Sequence, residues 1–372
     1  MTIAKENMKN KIEVEGVLMN YSIKKDENAE RKFARDGQFK VGDKYTRYSG
    51  YVDVLTNPTT GNYVRIDIDT EPKTYKSGAN EGKPTALTLL MESLSKKELD
   101  SYNKTRNVAT TPTVSVWGRE PFNFKFDDNW YFKDDVLVET LQTKLGFANL
   151  NVGEPVAEPR FKNEFVLYGY VSDIKDELDS KENPTDRVVV NAYVPYISGF
   201  GENEKVLAFK APLIAGVCVD EEGEYDMAQL ILEEEQMAGV IGYSWKLTGS
   251  IHSWMDVPAD MPQETGRKRG VGRQVKETVQ GRHYSEILLE GIDILGTDGE
   301  VFSEEDIEQA VKARQILIET KRKEREEKKA NGGANKGRGI GGRGGNSDAT
   351  VGRASTAGTT ATTSTRGARR GW

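Results

Sequence analysis

Up to about residue 300 the apolar residues of this chain recur with a period of two, the spacing that sends alternate side chains to opposite faces of a β-strand. Ile12, Val14 and Leu18 form one such face. Val64, Ile66 and Ile68 form another, with Tyr63, Arg65, Asp67 and Asp69 turned away, and Tyr51 belongs to the preceding strand-like run. Val114 and Val116 are set against Thr113, Ser115, Trp117 and Arg119. In the second half Val188, Val190 and Val194 oppose Arg187, Asn191 and Tyr193, the stretch 243–254 alternates around Gly249, and a last strand passes through Ile287, Leu289 and Ile292. Glycine recurs inside these runs, at Gly16, Gly50, Gly118, Gly169, Gly249 and Gly291, as it does at bulges and barrel corners.

Two internal matches stand out. Residues 9–18 align with 162–171 through the same Lys-Asn opening, the same apolar alternation and the same glycine, and residues 48–52 align with 167–171. The two offsets exclude one another, so a tandem repeat is expected with its register open. Helical spacing is confined to 85–102, 134–145 and 224–237, Pro58 and Gly61 mark a hairpin turn, and 153–159 reads as a linker. The inventory is a mainly β protein with a few helices. It predicts tandem OB-like small β-barrels over 10–152 and 160–300, since one or two helices among about five short, glycine-kinked strands suit that fold. A charged helix is expected over 303–329, with Ser303 as N-cap and Glu304, Glu305 and Asp306 in its first turn. The remainder, 330–372, is Gly, Ser, Thr, Ala and Arg without apolar periodicity, the composition of a disordered tail.

Charge sharpens this picture. The chain carries a formal −7, yet 330–372 holds seven cations against Asp348, so residues 1–329 stand at −13. A polyanion would have to be held by local basic surfaces or by the tail. No apolar run reaches the length of a membrane span, the start lacks a signal-peptide core, and the lone Cys218 cannot form an internal disulfide, which together predict a cytoplasmic protein.

Catalytic chemistry is sparse. His252 and His283 are the only histidines, no nucleophile elbow or Ser/His/Asp order occurs, and Cys218 lies in an apolar run. Asp53, Asp67 and Asp69 suggest a magnesium site less strongly than they suggest the solvated face of a strand. The reading is a protein without cofactor, metal or turnover.

Binding chemistry is richer. Arg267, Lys268, Arg269, Arg273 and Lys276 crowd a glycine-spaced segment between two strands, where cations can follow a phosphate backbone; a merely solvated loop is the alternative. In an OB barrel this segment joins the last two strands, one of the loops that grip oligonucleotides. The stretch 21–48, at a net +3 with Phe33, Phe39 and Tyr45 interleaved, is a weaker counterpart. Outward rings, mostly beside guanidinium groups, offer stacking surfaces: Tyr51, Tyr63 with Arg65, Trp117 with Arg119, Tyr168 with Tyr170, and Tyr193 with Arg187. For each ring the alternative is a second core layer where a helix caps the barrel. Arg338 and Arg343 stand in Gly-Arg-Gly contexts similar to RGG segments.

With tandem glycine-kinked strand sets, a basic last hairpin and a Gly/Arg tail, the chain resembles OB-fold single-stranded DNA-binding proteins of the diverged bacteriophage type. The resemblance implies sequence-independent binding and protection of single-stranded DNA in replication or recombination, with replication or recombination proteins and self-association as further partners. The bacterial members end in an acidic tip with a terminal aromatic; here Arg369, Arg370 and Trp372 keep the ring and reverse the charge. A virion or assembly structural protein whose basic tail touches nucleic acid is a second reading, and an RNA-binding regulator a third. Deleting residues 331–372 should leave the melting temperature within a degree or so while weakening poly-dT binding at low salt; undiminished binding would assign the tail another role.

Overall fold

A computed structural model describes residues 3–31, 40–118, 124–133, 135–145, 149–179, 181–199, 204–219, 223–256, 282–295 and 301–332. The first half supplies β1 (Asn10–Glu30), β2 (Lys44–Asn57), β3 (Asn62–Thr70), α1 (Ala86–Ser95), α2 (Tyr102–Thr105), β4 (Thr113–Trp117), β5 (Lys125–Lys133), β6 (Val136–Lys144) and β7 (Asn149–Gly153). The second supplies β8 (Lys162–Leu178), β9 (Pro184–Ser198), β10 (Lys205–Ala215), β11 (Val217–Val219), β12 (Glu224–Asp226), α3 (Met227–Ala238), β13 (Ser244–Asp256), β14 (Arg282–Ile294) and α4 (Glu304–Gly332).

Five strands of the second half close a ring. β8 pairs with β9, β9 with β10, and β14 with β13, all antiparallel; β10 meets β14 in parallel at Ile214 and Leu288, and β13 returns to β8. The first half repeats that order. β1, β2 and β3 form a meander, β4 pairs with β1, and the closing strand is split: β6 touches β3 in parallel at Asp67 and Lys144, while β7 pairs with β4. Both rings thus have the OB-type arrangement, with α1 and α3 lying in sequence between the third and fourth strands of each.

Local chemistry accounts for the elements. The Thr85 hydroxyl accepts from the Thr88 N–H (3.3 Å) to start α1, and Asp226 accepts from the Gln229 N–H (3.2 Å) to start α3, which ends at Gly239 with φ 61°. Ser303 caps α4 as its sequence predicts, accepting from the Asp306 N–H at 3.2 Å. A Cβ on Gly16 would run into the Leu55 carbonyl, and one on Gly249 into that of Leu288, so these strand glycines permit the close backbone approach of a tightly coiled sheet. The expected helix at 134–145 is corrected to β6, which pairs with β5 from Lys133–Val136 to Lys125–Lys144. Val138, Leu141 and Leu145 fit a helical stripe, but Val136, Val138 and Thr140 also alternate, and tertiary pairing decides between the two.

The rings share one sheet. Asn10–Glu15 of β1 pairs antiparallel with Lys162–Leu167 of β8, after which each strand passes to the second strand of its own ring. This pairing is self-consistent under the offset that equates Asn10 with Asn163, since Asn10 faces Leu167 and Asn163 faces Val14. The 48–52 match falls on β2, a second strand, and is not the repeat. The core is likewise continuous, running from Ile12, Val54 and Ile66 to Leu167, Val190, Leu247 and Leu289.

Two further contacts fix how the rings sit. At one seam Ser253 of β13 pairs with Tyr63 of β3, and Tyr63 packs against His283 of β14 with ring centroids 5.6 Å apart. At the other, Arg314 of α4 reaches Asp128 of β5 through Nε and Nη2 (2.7 and 2.8 Å) and Glu139 of β6 through Nη1 (2.6 Å), and the Tyr196 hydroxyl of β9 donates to Asp128 at 2.9 Å. Arg314 and Asp128 are both buried, with side chains 11% and 4% exposed. Asp128→Ala leaves that buried guanidinium with the exposed Glu139 alone, so a loss of about 3 kcal/mol is expected by denaturant unfolding, against less than about 0.5 kcal/mol for the exposed Lys312→Ala.

Burial, reinforced by Arg65, pushes His283 down to about 4 from 6.5. The folded state therefore holds this ring neutral while the unfolded chain protonates it near pH 6.5. Stability is complete above that value and falls as pH drops from 6.5 towards 4, by roughly 1 kcal/mol per pH unit. His283→Phe should flatten the loss between pH 6.5 and 4.5 in equilibrium unfolding; an unchanged slope would assign it to other groups.

Candidate functional site

The sequence-predicted rings divide sharply once their surroundings are known. Trp117 ends β4 and is 49% exposed, as a stacking surface requires. Tyr168, Tyr170 and Tyr193 do not form an outward platform. They belong to a second, smaller core with Ile3, Phe302, Ile307 and Val311, closed over β8 and β9 by α4, and Tyr170 is buried. Alternation had located the face opposite the valines, but a helix more than a hundred residues downstream covers it. Lys9 Nζ lies 5.2 Å above the Tyr168 ring and adds to this packing.

The predicted arginines are similarly engaged. Arg65 forks onto Asp53 at 2.7 and 2.8 Å, both side chains largely buried, and lies 3.8 Å over the Tyr51 ring. It is a structural cation rather than a free phosphate ligand, and Tyr51 is its cover. Tyr63 is corrected from an outward ring to a buried one. Arg187 bonds Glu177 through Nε and Nη2, each at 2.7 Å, and reaches Glu286 at 3.3 Å. In the 21–48 stretch Arg31 pairs with Glu71 and lies over Tyr45, Arg47 pairs with Asp69, and Lys25 pairs with Glu27 and Glu92. Arg119, Arg267, Lys268, Arg269, Arg273, Lys276, Arg338 and Arg343 lie outside the described residues.

A different aromatic group stands at the surface. On the outer face of β13 and β14, the exposed Trp254 stacks on the half-buried Tyr284 with centroids 5.7 Å apart and planes at 17°, and His252 follows at 5.4 Å from Trp254. The strand ladder orders them: Trp254 faces Tyr284, and His252 faces Glu286. His252 Nδ1 lies 3.1 Å from the Glu286 carboxylate, both oxygens of which Arg187 also reaches at 3.3 Å. A carboxylate only accepts, so Nδ1 carries the proton in this contact and the ring is fixed in orientation. Arg187, expected to bind phosphate, instead positions this row. The two strands stay paired to Asp256 and Arg282, so the covalent path through the basic segment 257–281 begins and ends beside Trp254 and Tyr284.

The stacking residues predicted from the sequence include neither Trp254 nor Tyr284, and His252 is counted there only as one of two histidines. His252 and Trp254, two positions apart, are on one face by strand geometry alone; Tyr284 joins them only through the β13–β14 register. The other strand tryptophan of the second half, Trp245, is fully buried and donates from Nε1 to the Val240 carbonyl at 3.2 Å.

Beside the row lies a cleft of about 280 Å³ where the two rings meet, bounded by Asn20 and Asp53 of the first ring, Tyr63 after the β2–β3 turn, Asn103 of α2, and His252 and Trp254. Among the described residues no lysine or arginine lines it. Among the described residues there is also no group of three or more His, Cys, Asp or Glu side chains placed to hold a metal ion, and no helix long and apolar enough to cross a membrane.

No curated protein matches the chain. Among solved structures, a crystal structure of a deletion mutant of the single-stranded DNA binding protein from Thermus aquaticus is similar at TM-score 0.35 and 11% identity, over 78% of this chain and 95% of that one. The profile of the YorF family matches residues 96–324. That span covers more than half of the sequence, from the end of the α1 region to well inside α4, and the chain belongs to the YorF family.

Proposed function

We propose that this protein binds single-stranded DNA without sequence preference and without turnover, protecting it in replication or recombination, and that the strand lies across Trp254 and Tyr284. The observation that carries the reading is the pair of near-parallel rings at the mouth of the β13–β14 hairpin. Flat rings accept any base, because every base has a π-face, and such stacking is worth about 1–3 kcal/mol per base. Phosphates need cations within reach of the same strand. Arg267, Lys268, Arg269, Arg273 and Lys276 belong to the segment that joins these two strands, so the chain enters and leaves this basic stretch beside the rings. Trp117, on β4 of the first ring, offers a second stacking position on the equivalent strand of the fold.

An acidic body suits this division of labour. It repels polyanions elsewhere and leaves association to the hairpin, so binding should be steeply salt-dependent. Titration of a labelled oligo-dT by anisotropy is the test. Trp254→Ala should weaken binding by about 1–3 kcal/mol at constant salt while keeping the salt slope. Replacing Arg267, Lys268, Arg269 and Arg273 by Ala should flatten the slope by about 0.7 for each phosphate that is no longer neutralised. Wild-type affinity and slope in both folded variants would refute the site, and equal affinity for heparin and oligo-dT would refute stacking.

A further inference from the structure

The cleft beside Trp254 contains a buried hydroxyl that stacking leaves unused. Tyr63 is 4% exposed, and its hydroxyl has no hydrogen-bond partner among the described residues. Buried polar groups are almost always satisfied, so an orphan on a residue that lines a cleft is a group that an entering partner can satisfy. Its neighbours sort into committed and uncommitted groups. Asn62 donates to the Ile251 carbonyl (3.2 Å) and accepts from the Ser253 N–H (3.1 Å), so it is a structural clamp between the rings. Asn103 is exposed on α2, and neither its amide nor Nε2 of His252, whose Nδ1 is tied to Glu286, has a hydrogen-bond partner among the described residues. A hydroxyl, an amide and a ring nitrogen together offer both donors and acceptors.

Size and charge narrow the ligand. About 280 Å³ is just below the roughly 300–1,000 Å³ of sites for drug-sized molecules, enough for one heterocycle and not for several. The lining carries no lysine or arginine among the described residues, which disfavours a phosphate or carboxylate. A neutral, planar group with a mixed hydrogen-bonding edge fits, and one flat wall is Trp254. Resting on the single-strand reading, we propose that this cleft takes one nucleobase, unstacked from the bound strand, with its ring against Trp254 and its edge on the Tyr63 hydroxyl and the Asn103 amide. The protein then carries a base-reading position within an otherwise sequence-tolerant surface.

The experiment compares two labelled single strands of equal length, one of ordinary deoxynucleotides and one fully abasic, against the full chain and its Tyr63→Phe and Asn103→Ala variants. Each variant should bind the base-bearing strand roughly three- to tenfold more weakly than wild type and the abasic strand equally well. Without nucleic acid, Tyr63→Phe should unfold at the same or a higher denaturant concentration, because it removes an unsatisfied hydroxyl. If both variants bind the base-bearing strand like wild type, or lose affinity for both strands alike, the cleft is not a base site while single-strand binding stands. If wild type binds neither strand, the functional reading falls with it. Asn103→Ala, at an exposed position, keeps the test decisive should Tyr63→Phe fail to fold.

Discussion

The antiparallel ladder between β1 and β8 is the constraint from which the rest of the molecule follows. A small barrel leaves part of its first strand unpaired where the sheet bends away, and an unpaired strand edge is an adhesive surface. Here the first six residues of each first strand cover the other's edge. Two asparagines lock the arrangement at equivalent positions. Asn10 donates to the Phe126 carbonyl (2.8 Å) and accepts from its N–H (3.0 Å); Asn163 does the same for Ile251 at 2.7 and 3.1 Å. A side-chain amide has the donor and acceptor of a peptide unit, so each asparagine stands in for a missing strand residue against a later strand of its own ring. The same device at the same place in both halves is the structural mark of the tandem repeat.

Once the rings are joined in this way, α4 decides which faces remain open. Its first turns close a small apolar core over Tyr168, Tyr170 and Tyr193, and its middle is pinned to the β5–β6 hairpin by the buried Arg314–Asp128 pair. Arg325 continues the tether by donating to the Phe132 carbonyl at 2.7 Å. A charge this deep gains little as a simple attraction, since desolvation offsets it; its value is positional, because only one docking of the helix satisfies the guanidinium. With the β8–β9 face covered, the stacked rings left at the surface of the second half, among the described residues, are those of β13 and β14.

Electrostatics follow the same logic of committed and uncommitted groups. Arg65, Arg187 and Arg314 are each paired with carboxylates and act on structure: one beneath Tyr51, one behind the His252 row, one under α4. In a chain with more acidic than basic residues such pairing is the expected fate of a cation on a sheet face. The guanidinium groups of residues 257–281 belong to the chain that follows β13 and precedes β14.

The sequence by itself determined the strand faces around Val14, Ile66, Val114 and Val190, the Ser303 cap and the Pro58–Gly61 turn, and it offered two repeat offsets, of which the β1–β8 pairing selects the one that equates Asn10 with Asn163. These are properties of local spacing, turn chemistry and similarity at a fixed distance. It also placed the basic hairpin between the last two strands. Tertiary structure alone decided that 136–144 is a strand, that the tyrosines opposite Val188 and Val190 lie under a helix, and that Arg65 and Arg187 are held by Asp53, Glu177 and Glu286. It alone brought Tyr284 onto Trp254 and Tyr63 to the cleft. The physical reason is common to all of these. Alternation tells two faces of a strand apart but does not say what comes to lie on either, because that depends on partners elsewhere in the chain whose pairing register no local pattern encodes.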